Sequence, residues 1–252
     1  MIAAAGRDYY DRLPTAAKQW SGGRSVALTL VIPFEAIEER ARERVGGFQA
    51  LVVRLPVPKS AEQLRAEGDD RYLSLMSLRI FRAGLKHSVV DAKWPAFEEV
   101  FFQFEPARVV AMSDDELEAL LGDQRLIRHW GKLKAVRANA AAMTRLASEA
   151  GGMGAYLADW PRDEVVGLWQ DLGKRFSQLG GNSGPYFLRM AGKDTFLLTD
   201  SVVKALNHWD AFAGTPRSQG DRLRIQAVFN AWHQATSRPL CQLSMILAAS
   251  VD

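Results

Sequence analysis

The residues best suited to chemistry are a glycine-rich turn and an aspartate that follows it. The turn consists of Gly180, Gly181, Asn182, Ser183 and Gly184. Its glycines allow positive φ angles and close backbone approach, so N–H groups at the start of the next helix can bind a phosphate. Asp200 lies nineteen positions after Gly181, and a carboxylate can stabilise developing positive charge or guide a water molecule. The alternative is that Thr199 and Asp200 only cap the following helix.

A positive charge balance accompanies this turn. Residues 173–252 contain nine Lys or Arg against five Asp and no Glu, a balance of +4, whereas the whole chain carries +3. Lys193 and Lys204 are the cations that we expect to bind phosphates beside the turn. A helix predicted over residues 126–150 has a second basic face, which is either solvated or turned toward the same polyanion. Its cations are Arg128, Lys132, Lys134 and Arg137.

Helices must position these groups, because helical periodicity dominates the chain. Apolar residues recur at steps of three and four, for example over residues 34–45, and capping-box patterns begin at Ser60 and Ser113. Residues 26–32 and 50–55 are the only candidate strands. The sequence predicts an all-α protein of about a dozen helices, preceded by a loosely ordered extension over residues 1–31.

The composition excludes several kinds of site. Cys241 is the only cysteine, so the chain has no intramolecular disulfide and no cysteine-based zinc or iron–sulfur site. The His residues are scattered at 87, 129, 208 and 233, so we expect no bound metal and no other cofactor. The longest apolar run is too short to cross a membrane and no secretory signal is evident, which favours a cytoplasmic location.

Several short motifs occur in order along residues 60–250. They include Asp69-Asp-Arg-Tyr-Leu73, Ala83-Gly-Leu85, Phe104-Glu-Pro-Ala-Arg108 and Lys132-Leu-Lys-Ala-Val136. Together with the turn and Asp200, they resemble the helix–hairpin–helix DNA glycosylase superfamily, in particular the 3-methyladenine DNA glycosylase I family. The resemblance implies a two-lobed helical domain over residues 32–252. One lobe covers about 60–170, and a hairpin lobe covers about 171–252 with residues 32–59 packed on it.

The resemblance also implies a pocket for a damaged base flipped out of duplex DNA. This chain has Arg79 and His87 where that family typically carries a glutamate and a tryptophan. Tyr72, Phe81 and Trp94 are candidates to stack on the base. The alternatives are that His87 and the three aromatic rings are structural, and that Arg79 pairs with a buried anion.

We therefore predict a glycosylase of base-excision repair that hydrolyses the N-glycosidic bond of alkylated bases, such as 3-methyladenine, in double-stranded DNA. Asp200 would stabilise the sugar cation. No lysine occurs over residues 182–190, so the resemblance implies a monofunctional enzyme without lyase activity. We expect a monomer. The alternatives are a non-catalytic protein that binds damaged or distorted DNA on the same scaffold, and a helical interaction protein without a role on DNA.

Overall fold

A computed structural model describes residues 32–252. The predicted extension over residues 1–31, with nearly all of the candidate strand at 26–32, lies outside the described residues. Every regular element between residues 32 and 252 is helical, which confirms the all-α class.

The strand predicted at residues 50–55 is wrong. Residues Phe48–Val52 form a short helix, in which the Leu51 amide donates to the Gly47 carbonyl at 3.1 Å. Local helical hydrogen bonds form here instead of strand pairing. Leu51 is the only residue of this helix that is buried, so the segment lacks the buried face that would stabilise a strand.

Fourteen α-helices follow one another in the described part of the chain. They are α1 (Phe34–Val45), α2 (Phe48–Val52), α3 (Ala61–Ala66), α4 (Asp69–Arg82), α5 (His87–Val100), α6 (Pro106–Ala111), α7 (Asp114–Ala119), α8 (Trp130–Ala150), α9 (Met153–Asp159), α10 (Val165–Arg175), α11 (Ser183–Ala191), α12 (Asp200–His208), α13 (Gln219–Thr236) and α14 (Leu240–Ala249). Short 3₁₀ turns lie at Phe102–Phe104, Leu120–Gly122 and Arg162–Glu164.

The helix starts follow local side-chain chemistry. At α3, the Ser60 hydroxyl accepts from the Gln63 amide at 3.1 Å, and the Gln63 side chain accepts from the Ser60 amide at 2.9 Å. Ser113 and Glu116 form the same reciprocal pair at α7. Both predicted capping boxes are therefore present, because this signal depends only on residues three positions apart.

The helices share one buried apolar core. Helix α8 contacts α4, α6 and α9, and α9 contacts α3. Helices α12, α13 and α1 pack against α14. The rings of Phe34 and Trp232 lie 5.3 Å apart at the contact of α1 with α13. Helices α4 and α11, from the two predicted lobes, pack against each other.

A left-handed turn follows α5. Phe102, Gln103 and Phe104 have φ angles of 57°, 56° and 58°, a conformation that costs L-residues roughly 1–2 kcal/mol each. The Arg71 guanidinium donates to the Gln103 carbonyl, and Phe104 is buried on Trp94 and Phe101. Burial and this hydrogen bond hold the turn against its intrinsic cost.

None of the helices within residues 32–252 has both the length and the apolar character needed to cross a membrane.

Candidate nucleic-acid and base-recognition site

The hairpin turn, residues 176–182, joins α10 to α11. Gly181 has a φ of 60°, which favours glycine, and the start of the turn is held close to α11. A Cβ added to Gly184 would lie 3.0 Å from the Leu179 carbonyl oxygen, whereas one added to Gly180 would meet nothing within 4 Å. Glycine at 181 therefore suits the backbone angle of the turn, and glycine at 184, within α11, allows that helix to pack closely on the turn.

The start of α11 is open to solvent. Gly180, Gly181 and Asn182 are exposed, and Asn182 occupies the N-cap position without a side-chain hydrogen bond to the helix. The first N–H groups of a helix lack intrahelical partners and form its positive end. This end can accept an anion such as a phosphate.

A cavity of about 260 Å³ lies beside the turn, and we call it the hairpin cavity. Its lining includes Lys174, Gly180, Asn182, Leu198, Gln219 and Arg222. Lys174 and Arg222 form no ion pair with other described residues, so their charges are uncompensated locally. The Gln219 Oε1 atom is buried and accepts no hydrogen bond from residues 32–252. The cavity is therefore a recess of mixed lining next to the hairpin, with two cations and the apolar side chains of Val166, Trp169 and Pro185.

Sequence reasoning did not single out Lys174, Gln219 or Arg222. Lys174 carries a weak signal, because it stands near the end of the helix that enters the turn. Gln219 and Arg222 begin α13 and carry none, because only the packing of α13 beside α10 brings them to the cavity.

Asp200 is the first residue of α12, and its side chain is exposed. The N-cap of this helix is Thr199, whose hydroxyl accepts from the Val202 amide at 3.2 Å. The Asp200 carboxylate makes no hydrogen bond or ion pair with the other described residues. Leu198, two positions earlier, lines the hairpin cavity. The capping alternative thus applies to Thr199, and the carboxylate of Asp200 remains available.

The expectation that Lys193 binds phosphate needs correction. Lys193 is only 7 % exposed, and its Nζ donates to the Trp160 carbonyl at 2.7 Å. Burial lowers the pKa of this ammonium group, with Asp194 acting in the opposite direction. Lys204 is exposed, and its Nζ donates to the Asp252 carbonyl at 2.9 Å. Of the two predicted cations, Lys193 is therefore a buried structural residue, and Lys204 lies at the surface.

Two of the three predicted aromatic stacking residues need correction. Tyr72 and Phe81 are fully buried, and the Tyr72 hydroxyl donates to the Leu64 carbonyl at 2.7 Å. No base can stack on these two rings without rearrangement of the core. Trp94 is partly buried and stacks on the rings of Phe97 and Phe104, at centroid distances of 5.0 and 5.4 Å and nearly parallel to both.

Arg79 and His87 lie apart from that core. His87 is the first residue of α5 and is exposed. The Arg79 guanidinium lies over the ring of Tyr186, with 4.7 Å between its carbon and the ring centroid. Tyr186 belongs to the first turn of α11 and directly follows the hairpin. Arg79 is therefore the predicted pocket residue that reaches the hairpin lobe.

The basic face predicted on residues 126–150 is not uniform. The Lys132 ammonium is buried and donates to the Phe81 and Ala83 carbonyls at 3.2 and 2.7 Å, which closes the end of α4. Arg137 donates to the Met112 carbonyl at 2.7 Å and pairs with Asp114. Lys134 is exposed above the Trp130 ring. Two of the four cations thus have structural partners.

An all-α protein with a glycine turn between two helices, and an aspartate at the start of a third, has the helix–hairpin–helix arrangement. Within residues 32–252, no group of three or more His, Cys, Asp or Glu side chains is arranged to hold a metal ion.

Comparisons with known proteins confirm the resemblance to 3-methyladenine DNA glycosylase I. Residues 64–174 match the sequence model of the methyladenine glycosylase family. A stretch of 65 residues, 26 % of this chain, is 37 % identical to DNA-3-methyladenine glycosylase 1 of Escherichia coli (strain K12). That stretch spans 35 % of the relative's length, about a third. The family match ends at residue 174, before the hairpin turn.

Solved structures of 3-methyladenine DNA glycosylase I are also similar. One crystal structure is 22 % identical, covers 57 % of this chain and 87 % of its own, and has a TM-score of 0.45. The protein from Staphylococcus aureus is 24 % identical, covers 52 % of this chain and 80 % of its own, and also has a TM-score of 0.45.

Proposed function

We propose that this protein is a monofunctional DNA glycosylase that hydrolyses the N-glycosidic bond of alkylated bases in double-stranded DNA. The observation that carries the proposal is the exposed carboxylate of Asp200, which caps no helix. It lies two positions after Leu198, which lines the hairpin cavity. The similarity of residues 64–174 to methyladenine glycosylases supports the same activity.

The proposed binding mode uses the hairpin turn as a grip on the DNA backbone. The open N-terminus of α11, together with Lys174 and Arg222 at the hairpin cavity, would face phosphates. Such contacts position a duplex without reading its sequence. The target base would be flipped out of the helix, because its glycosidic bond is inaccessible within a stacked duplex.

Asp200 would act on the sugar. As the bond between the base nitrogen and the anomeric carbon breaks, its electron pair leaves with the base and the sugar gains oxocarbenium character. A nearby carboxylate stabilises this positive charge and guides a water molecule, whose oxygen bonds to the anomeric carbon while its proton passes to the Asp200 carboxylate. Cleavage would leave an intact abasic strand, and we propose no Schiff-base step because residues 182–190 contain no lysine.

The test is single-turnover base release from alkylated duplex DNA by the wild type and by Asp200→Asn. Asparagine keeps the shape of the side chain but removes its charge, so release should fall by roughly 10²–10³-fold while DNA affinity is retained. Asp210→Asn is a matched control, because Asp210 is also exposed, follows the end of α12 and has a φ of 52° that asparagine tolerates.

Equal release by Asp200→Asn and the wild type would remove Asp200 from the mechanism. Absence of release by the wild type from any alkylated duplex, with lesion binding retained, would favour the second candidate, a non-catalytic binder of damaged DNA. The enclosed rings of Tyr72 and Phe81 favour that candidate, because they leave less aromatic surface for an extruded base.

A further inference from the structure

The hairpin turn is attached to α8, from the other predicted lobe, by a buried side chain. The Asn139 Oδ1 atom accepts from the Ser177 amide at 2.7 Å, and the Asn139 Nδ2 group donates to the Ser177 carbonyl at 3.1 Å. Asn139 is fully buried, whereas Ser177 is exposed. One side-chain amide therefore binds both backbone groups of a hairpin residue, which fixes the position and the orientation of the chain at that point.

The residue after this contact has a strained backbone. Gln178 has a φ of 62°, a left-handed conformation that is uncommon for residues other than glycine. Its Nε2 group donates to the carbonyl of Gly131, the second residue of α8, at 2.8 Å. Strained residues persist only where the surrounding structure holds them. Helix α8 supplies such contacts at two points, Gly131 and Asn139.

The anchored segment lies between the groups that are proposed to bind DNA. Lys174 is three positions before Ser177, and the exposed N-cap Asn182 is five positions after it. A shift at Ser177 would therefore move the start of α11 relative to the cations of the hairpin cavity. A turn that is already ordered loses little conformational entropy when a ligand binds, so anchoring it favours affinity.

We infer that Asn139 is a positioning residue for DNA binding, with Gln178 as a second link between α8 and the hairpin turn. Asn139 holds the turn in the conformation that presents the start of α11 to a phosphate. The inference rests on the binding mode proposed above. It adds to that mode a residue that is too deeply buried to touch DNA itself.

The first test is the duplex affinity of Asn139→Leu in the full chain, measured by fluorescence anisotropy. Leucine has a similar shape but forms neither hydrogen bond and adds no charge. Affinity should be about tenfold weaker than that of the wild type, because two bonds that order the turn before binding are lost. Asp200 belongs to α12, so single-turnover base release at saturating DNA should stay close to that of the wild type.

Asn139→Asp adds a pH signature that a loss of stability does not produce. Its carboxylate would place an oxygen against the Ser177 carbonyl, whereas the protonated acid can donate to that carbonyl as the native amide does. Burial raises the pKa of an aspartic acid above about 3.9, so affinity relative to the wild type should be low at pH 8 and recover toward pH 5. Charged groups on the adjoining segments, such as His129 and the Arg175–Glu149 pair, are common to both proteins and cancel in this ratio.

Asn230 provides a matched control. Its Nδ2 group donates to the Asp163 carbonyl at 3.0 Å, which joins α13 to the segment before α10. The hairpin turn follows the other end of α10. Asn230→Asp adds the same charge as Asn139→Asp, and its affinity relative to the wild type should be the same at pH 5 and pH 8. Thermal denaturation in the same buffers identifies the variants that are folded.

Gln178→Ala decides the question if the buried variants do not fold, because Gln178 is exposed. Loss of its bond to the Gly131 carbonyl should weaken duplex affinity by about threefold, and an unchanged affinity would then overturn the inference.

Wild-type affinity in folded Asn139→Leu, or an Asn139→Asp affinity ratio that is the same at pH 5 and pH 8, would also overturn it, as would a wild type that binds no duplex. Failure of the catalytic proposal alone has a different result, namely duplex binding without base release. The affinities of the variants then still decide the role of Asn139.

Discussion

At the scale of single residues, adjacent polar side chains have different roles. Thr199 supplies the hydroxyl that caps α12, which leaves the adjacent Asp200 without a structural partner among the described residues. Lys193 and Asp194 are adjacent in the same way but both face inward, with Asp194 accepting from the Leu240 and Cys241 amides. Residue type alone therefore does not identify a charged side chain that acts in binding or catalysis. The hydrogen-bond partners of that side chain and of the adjacent residues must also be known.

Tyr72 makes a testable contribution to stability in alkali. Burial raises its pKa to about 12, with Glu67 and Asp69 adding to the shift. An unfolded tyrosine has a pKa of about 10, so the folded state holds the proton more tightly. The stabilisation is complete below pH 10 and is lost as the pH rises from about 10 to about 12.

Tyr72→Phe should therefore make the free energy of unfolding fall less steeply between pH 10 and 12, as measured by urea denaturation. At pH 7 the variant should lose about 1 kcal/mol, because the Leu64 carbonyl loses its 2.7 Å hydrogen bond. The same alkaline slope in the variant and the wild type would contradict this account.

At the scale of elements, the sequence predicted what depends on local signals. The helix Phe34–Val45 was predicted with its observed bounds, because its apolar spacing and the glycines after it are local. The left-handed turn at Phe102–Phe104 could not be predicted, because none of its residues is a glycine and Arg71, from α4, helps to hold it. The partial burial of Trp94 likewise depends on Phe97 and on Phe104 of this turn.

Some features of the candidate site were likewise predicted from local sequence signals, and others depend on packing between distant helices. The hairpin and the start of α12 were predicted from glycine spacing and a capping threonine, both of which are local. The hairpin cavity was not predicted, because α10 and α13 supply its cations and are distant in sequence. The contact between Arg79 and Tyr186 likewise depends on how the two lobes dock, which a single sequence does not specify.

Gly184 and Gly180 differ in the space available for a side chain, which gives a prediction for matched alanine variants. Gly184→Ala should lower stability by about 1–3 kcal/mol, because the new methyl would lie 3.0 Å from the Leu179 carbonyl oxygen. It should also weaken DNA binding by displacing the start of α11. Gly180→Ala places its methyl in open space and should leave stability within about 1 kcal/mol of the wild type.

Thermal denaturation and duplex affinity of the two variants provide the measurement. Equal losses at both positions would show that the turn does not depend on close packing at Gly184.

At the scale of the whole molecule, positive charge is concentrated in the hairpin lobe. Residues 173–252 carry a balance of +4, whereas the rest of the chain sums to −1. Within the hairpin lobe, Arg224 is paired with Asp221 at 2.5 Å and Arg238 with Glu38 at 2.7 Å. Lys174 and Arg222 have no such partner in the described structure, so they contribute to the field around the hairpin cavity.

Duplex binding should therefore weaken steeply with salt, because each neutralised phosphate releases condensed counterions. The double variant Lys174→Gln/Arg222→Gln should reduce the log–log slope by about 1.8, or 0.9 for each lost contact. Arg224→Gln, on the same helix as Arg222 but ion-paired, is the matched control and should leave the slope nearly unchanged. Fluorescence anisotropy across a salt series measures both effects, and an affinity that does not vary with salt would rule out phosphate binding at the hairpin.

The packing of α1 into the hairpin lobe has a consequence for the order of events on the ribosome. The Trp232 indole donates to the Ile32 carbonyl across 200 positions, and Phe34 and Ile37 are fully enclosed in the finished core. At a synthesis rate of about 5–20 residues per second, α1 is synthesised roughly 10–40 s before α13 and α14, the helices that cover it. The first lobe can complete its packing during that interval. The apolar face of α1, with Phe34 and Ile37, stays without its partner helices during that interval.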